Sequence, residues 1–287
     1  MRTLAQIDAV SMSFGITNAV ESVDLTVAEG EVVGLLGANG AGKTTLIRLL
    51  LGLLRPSSGS VSLFGSTPSI MTRRRVGYVP QTLGLYDDLT VEENWDFTSS
   101  AFGISHDLMP SGITAWRGEL VGVLPLGTQR RVAFAMALSH QPDLLVLDEP
   151  TSGVGPLSGA RLWQEIREAA EHGVGVLVTT HNMDEAEQCD RLVIMADGHV
   201  VASGTATEII GDHHVIEVRS DNWRDAYVAL DSNGLVVQTR NALLRVAATE
   251  TRVTDLLSSH GIHATTASVR ANLEETFISL VTRPMSS

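Results

Sequence analysis

The sequence predicts an α/β fold followed by a smaller α+β domain. Short apolar runs at residues 31–36, 75–79, 144–147, 174–180 and 191–195 end in polar or glycine-rich turns. Hydrophobicity that is continuous rather than alternating marks strands buried on both faces of a largely parallel sheet. Helical periodicity fills the intervals, at 43–51 closed by Gly52, at 128–138, and at 157–170 closed before Gly173. Such alternation places a ligand at the carboxyl ends of the strands. Residues 192–203 read as a hairpin, because Asp197-Gly198 joins two apolar runs. After Gly211 the order becomes strand 215–218, helix 223–230, strands 234–239 and 242–247, helix 253–259, strand 263–269 and helix 273–281. This is a split βαβ unit of the ferredoxin type with one extra helix. The expected domains are therefore 1–212 and 213–287.

Composition narrows the function. With 44% hydrophobic residues in 287, a sizeable core is available, and a net charge of −13 argues against a general nucleic-acid binder, which needs a concentrated basic face. The one basic run, Arg73-Arg74-Arg75, reads as a solvated helix end. The single cysteine, Cys189, leaves no internal disulfide and reads as a small buried apolar residue in a reducing compartment. The opening MRTLAQIDAV lacks a charged-then-apolar signal pattern, and no stretch approaches the ~18–20 apolar residues of a spanning helix. Any membrane role is expected to come through a partner.

The chain's one lysine, Lys43, lies in GANGAGKTT at 37–45, where a glycine-rich loop meets the start of a helix. The other nineteen basic residues are arginine. A compact ammonium slips between adjacent phosphates where a planar guanidinium does not fit. The string matches GxxxxGK followed by Ser or Thr, whose backbone N–H groups wrap phosphates at a positive helix end. Downstream, the apolar strand LLVLDE at 144–149 ends in two carboxylates that should point in different directions, since side chains alternate. Asp148 would support a Mg²⁺ ion bound by Thr44, and Glu149 would polarise an attacking water. Gln81, at the end of the short strand VGYVPQ, could reach the metal or the water with its amide. His181 follows the strand ending in Thr179-Thr180 and could donate to a γ-phosphate. Phe14 could stack on a flat base.

This ordered set resembles the ATP-binding subunits of ABC transporters over residues 2–212. Phe14 matches the adenine-stacking aromatic, GANGAGKTT the Walker A loop, Gln81 the Q-loop, LLVLDEPTSG Walker B with its sequel, and His181 the switch histidine. The stretch LEETFISLV at 273–281 looks like the tail of drug-exporter-type subunits. The resemblance implies a P-loop NTPase fold of the ABC type with ATP and Mg²⁺ as cofactors. It implies catalytic roles for Glu149, His181 and Lys43, and metal contacts from Thr44, Gln81 and Asp148. Nucleotide contacts are implied for Phe14, Gly37, Ala38, Asn39, Gly40, Ala41, Gly42, Lys43, Thr44, Thr45, Gln81 and, toward the nucleotide of an opposite subunit, Gly127. It also implies a transmembrane permease subunit, a second ATP-binding subunit, either identical or different, and a cytoplasmic position at the inner face of the cell membrane.

Two segments depart from the family pattern. The signature LSGGQ is replaced by Leu124-Pro125-Leu126-Gly127-Thr128, in which Pro125 removes a hydroxyl and a backbone donor and Leu126 puts bulk where the phosphate should approach. Gly155 stands where an aspartate communicates between the two sites. Such losses leave two functional classes open: a transporter ATPase, or a nucleotide-dependent switch or adaptor that binds ATP with little hydrolysis. DNA-repair or translation ATPases would carry a long coiled-coil insertion or a second tandem domain, which this sequence does not display.

Overall fold

The computed structural model describes residues 1–282 and divides into two units, one from Met1 to Thr205 and one starting at Ala206. In the first unit the chain runs β1 (Thr3–Phe14), β2 (Thr17–Ala28), β3 (Val32–Leu36), α1 (Lys43–Leu50), β4 (Ser58–Leu63), α2 (Ile70–Arg73), β5 (Val76–Val79), α3 (Val91–Phe102), α4 (Leu126–Leu138), β6 (Leu144–Asp148), α5 (Pro156–Glu171), β7 (Gly175–Thr180), α6 (Met183–Ala186), β8 (Arg191–Ala196) and β9 (His199–Gly204). A six-stranded sheet has the order β5-β6-β7-β3-β8-β9, and every pairing is parallel except β8 with β9. Every residue of β3, β6 and β7 is buried, which is why these strands read as unbroken apolar runs. Asp197 and Gly198 both take positive φ, 47° and 82°, as a two-residue primed turn between β8 and β9 requires.

A second, antiparallel sheet, β2-β1-β4, lies outside the expected set of strands. Its long strands carry bulges where Ala9 and Ser22 adopt φ of 45° and 48°. Each bulge shifts the inward phase, so the apolar residues Leu4, Ala5, Ile7 and Val10 never form a clean alternation. Between the two sheets, α1 closes a core with Leu46, Ile47, Leu49 and Leu50 fully or nearly fully buried. A separate cluster joins α3 and α4 through Val91, Trp95, Ile113, Val121, Val132 and Met136. The start of α3 is fixed by a reciprocal cap between Thr90 and Glu93. Helix α4 begins at Leu126 rather than at 128, because the Pro125 carbonyl accepts the N–H groups of Thr128 and Gln129 at 2.8 and 3.0 Å.

The second unit runs α7 (Ala206–Ile210), β10 (His214–Arg219), α8 (Trp223–Asp231), β11 (Val237–Arg240), β12 (Leu243–Val246), α9 (Glu250–Ser259), β13 (Thr265–Arg270) and α10 (Leu273–Thr282). Its antiparallel sheet has the order β11-β12-β10-β13, the split βαβ arrangement. Ile216, Val218, Leu244 and Val246 pack against Ala226 and Leu230 of α8 and Val253 and Leu257 of α9. Arg245 of β12 holds Glu275 of α10 through paired bonds of 2.5 and 3.0 Å. The unit starts ahead of the expected residue 213 because α7 packs against α10.

Candidate active site

β3 ends at Leu36 and the chain turns through the glycine loop into α1. Gly42 stands at the N-terminus of that helix with φ 100°, and a Cβ there would lie 2.4 Å from the Ala19 carbonyl; one on Gly37 would lie 2.6 Å from the Met195 carbonyl. Ala38, Asn39 and Gly40 form an exposed lip, whereas Gly37, Ala41 and Lys43 are buried and Thr44 and Thr45 are half-buried. The Lys43 ammonium donates to the carbonyls of Gly37 at 2.6 Å and Ala38 at 3.1 Å. Burial lowers its pKa below the ordinary lysine value, and the nearby carboxylates of Glu149 and Asp148 oppose that shift.

The order β6-β7-β3 sets the ends of three strands side by side, with Asp148 in register with Thr179 and Leu36 with Thr180. Asp148, 2% exposed, accepts from Thr44 Oγ1 at 3.0 Å on one oxygen and from Thr179 Oγ1 at 2.6 Å on the other. Glu149 turns the other way. Its Oε2 accepts from the Gln81 amide at 3.2 Å, and its Oε1 lies 3.5 Å from His181 Nδ1. Asp148 therefore sits with the helix threonine, and Glu149 with the glutamine and the histidine. Gln81 reaches Glu149 directly in this arrangement.

Several residues at the site carry no recognisable motif. The Thr179 hydroxyl accepts the Glu149 N–H at 2.9 Å, and Arg130 of α4 donates to the carbonyls of Glu149 and Ser152 at 2.9 and 2.6 Å. Arg130 is buried, and that burial lowers its pKa against the opposing pull of Glu149 and Glu185. Buried Glu185 accepts from Thr151 and, at 2.7 Å, from Thr180, fixing the start of the turn that carries His181. A threonine pair at the end of an apolar strand, and an arginine on the inward side of a helix, are the only sequence signals these residues give.

The signature segment lies at the start of α4. A Cβ on Gly127 would lie 3.0 Å from Ser158 Oγ, a tight contact between α4 and α5 that the serine side chain would have to relieve. Leu126 is partly exposed, and its Cδ2 lies where a Cβ on Gly153 would meet it at 3.0 Å. Gly155 caps α5 with φ −65°, and a Cβ there meets nothing within 4 Å. Phe14 closes β1 and is 50% exposed, a flat apolar ring in solvent.

A glycine loop of this build at the start of a helix recognises phosphate; the first unit has the fold of a P-loop nucleoside triphosphatase. Comparison with known proteins narrows the class. The ABC transporter family profile matches residues 20–152. The probable multidrug ABC transporter ATP-binding protein YbhF of Escherichia coli (strain K12) is 40% identical over 240 residues, covering 79% of this chain and 42% of that protein. The chain thus spans less than half the length of that relative. The linearmycin resistance ATP-binding protein LnrL of Bacillus subtilis (strain 168) is 30% identical over 309 residues, 98% of this chain and 99% of that one. A solved ATP-binding subunit of an ABC transporter superposes with a TM-score of 0.67 at 32% identity, covering 72% of this chain and 91% of the other. The chain belongs to the ABC transporter ATP-binding protein family.

Proposed function

We propose that this chain hydrolyses Mg-ATP and drives export through a separate transmembrane permease. The observation that carries this is the meeting of Lys43, Thr44, Asp148, Glu149, Gln81 and His181 at adjoining strand ends. The backbone N–H groups of the loop from Gly37 to Thr45 and the Lys43 ammonium seat the β- and γ-phosphates, the lysine exchanging the carbonyls of Gly37 and Ala38 for phosphate oxygens. Phe14 stacks on the adenine.

The protein oxygens also fit a divalent cation. Among the described residues no three His, Cys, Asp or Glu side chains cluster into a metal cage. A magnesium ion is instead held by one or two protein oxygens with phosphate completing its shell, and the Thr44–Asp148 pair at 3.0 Å, with Gln81, offers that partial set. When bound, the ion neutralises phosphate charge. Glu149 accepts a proton from the attacking water as that water's oxygen bonds to the γ-phosphorus and the bond from phosphorus to the β-phosphate oxygen breaks, giving ADP and phosphate. His181 donates to the γ-phosphate, and Gln81 keeps the Glu149 carboxylate oriented.

No helix among the described residues is long and apolar enough to cross a membrane, so transport work goes to a permease, with this chain at the inner face of the cell membrane. The half-exposed pair Tyr86 and Phe97, packed edge to face at 5.4 Å, offers an aromatic anchor for such a partner. A second ATP-binding subunit supplies the opposing signature helix, and the unit from Ala206 serves as an accessory domain. Leu126 and Gly155 favour a second reading, a switch that binds ATP with little hydrolysis. Steady-state ATPase rates with and without permease-containing membranes separate the two: a rate well above background in either condition supports the transporter ATPase, and background rates in both support the switch.

A further inference from the structure

The bonds that converge on Glu149 hold its backbone as well as its carboxylate. Glu149 takes φ 51°, a left-handed conformation that a residue with a side chain keeps only where its surroundings impose it. Thr179, with no exposed surface, accepts the Glu149 N–H and donates its hydroxyl hydrogen bond to Asp148. From the other side, the two Nη atoms of Arg130 clamp the carbonyls of Glu149 and Ser152. Arg130 is 6% exposed, and its Nε is buried without a hydrogen-bond partner among the described residues. A guanidinium kept on such terms, facing carbonyls and no paired carboxylate, is costly. Packing alone would be served better by an apolar side chain of similar volume.

We propose that Arg130 and Thr179 are positioning residues that lock the Glu149 backbone so that its carboxylate stays turned toward Gln81 and His181, with Arg130 carrying the position of α4 to that carboxylate. The proposal rests on Glu149 being the residue that activates water. Arg130 lies one turn into α4, whose first residues are Leu126 and Gly127, the segment that the proposed pairing turns toward the opposite subunit's nucleotide. Displacement of α4 when two subunits close therefore acts on the Glu149 carbonyl directly. This route stays inside one subunit, and it remains available although Gly155 lacks the carboxylate that would signal across the dimer.

The test compares ATP affinity and turnover in full-length wild type, Arg130→Met, Arg130→Lys, Thr179→Val, Thr179→Ser and Glu149→Gln. The proposal expects Arg130→Met and Thr179→Val to lose about 10- to 100-fold in kcat, in line with the cost of a misplaced catalytic group, with ATP affinity within about twofold of wild type. Arg130→Lys and Thr179→Ser, which keep a donor and a hydroxyl, recover part of the loss. Wild-type kcat in Arg130→Met, or a loss confined to ATP affinity, overturns the proposal. Should Arg130→Met not fold, the contrast between Thr179→Val and Thr179→Ser decides by the same criterion. Glu149→Gln separates the two levels: if it hydrolyses ATP normally, the assignment of Glu149 fails; if it is inactive while Arg130→Met and Thr179→Val are normal, only the positioning role fails.

Discussion

Lys43 is buried against backbone carbonyls in a chain whose other basic side chains are all arginine. A planar guanidinium at position 43 would replace the compact ammonium that donates to the Gly37 and Ala38 carbonyls. ATP at about 100 times its Kd should stabilise the wild-type protein by about 2.7 kcal/mol. Both Lys43→Ala and Lys43→Arg should lose the resulting rise in Tm, measured by thermal unfolding with and without Mg-ATP. Cys189 offers a second test at this scale. Burial pushes its thiol up to about 12, so at pH 8 thiolate is scarce and the sulfur is enclosed. Iodoacetamide should leave Cys189 unmodified in the native protein and label it after unfolding; rapid native labelling would contradict the packing described.

Among the elements, α4 joins the signature, the core and the site. Just beyond its C-terminal end His140 stacks on Phe102 at 3.9 Å and its Nε2 faces the Val76 carbonyl at 3.2 Å, while its Nδ1 is buried without a partner among the described residues. Burial holds its pKa below the usual histidine value. The native state therefore favours the neutral ring, and the unfolded chain takes up a proton near the ordinary value of about 6.5. Stability from this group is complete above that value and is lost as pH falls from it through the lower folded pKa. Unfolding midpoints in urea should drop across that range in wild type and drop less in His140→Gln. At the start of α5, Gly155→Asp meets open space in a φ that any residue adopts and gains an N-cap acceptor. It should raise stability by a few tenths of a kcal/mol in a urea titration and increase ATPase coupling between paired subunits.

The parallel strands were legible because burial on both faces leaves an unbroken apolar signature, and α5 because its apolar residues keep helical spacing up to Gly173. The antiparallel sheet β2-β1-β4 was not, since bulges at Ala9 and Ser22 break the alternation that would reveal it. The cis site was legible as an ordered set of motifs. Arg130 and Thr179 escaped because Arg130 binds the backbone carbonyls of Glu149 and Ser152 and Thr179 takes the Glu149 N–H beside Asp148 from a neighbouring strand, contacts that leave no mark in sequence.

On the scale of the whole molecule, the unit ending at Thr205 brings Lys43, Thr44, Gln81, Asp148, Glu149 and His181 together, and an antiparallel domain begins at Ala206. The segments proposed to face an opposite subunit depart from the family pattern at Pro125, Leu126 and Gly155. Because Glu149→Gln is expected to retain ATP, size measurement of that variant with Mg-ATP addresses pairing: an ATP-dependent homodimer is the outcome if the altered signature is competent, and a monomer is the outcome if a different subunit must complete the site. The central claim, that Glu149 activates water for hydrolysis at this site, is tested most directly by phosphate release from Mg-ATP in wild type and Glu149→Gln under saturating nucleotide. The account predicts steady release by wild type and a rate near background in Glu149→Gln despite bound ATP; equal rates in the two proteins would contradict it.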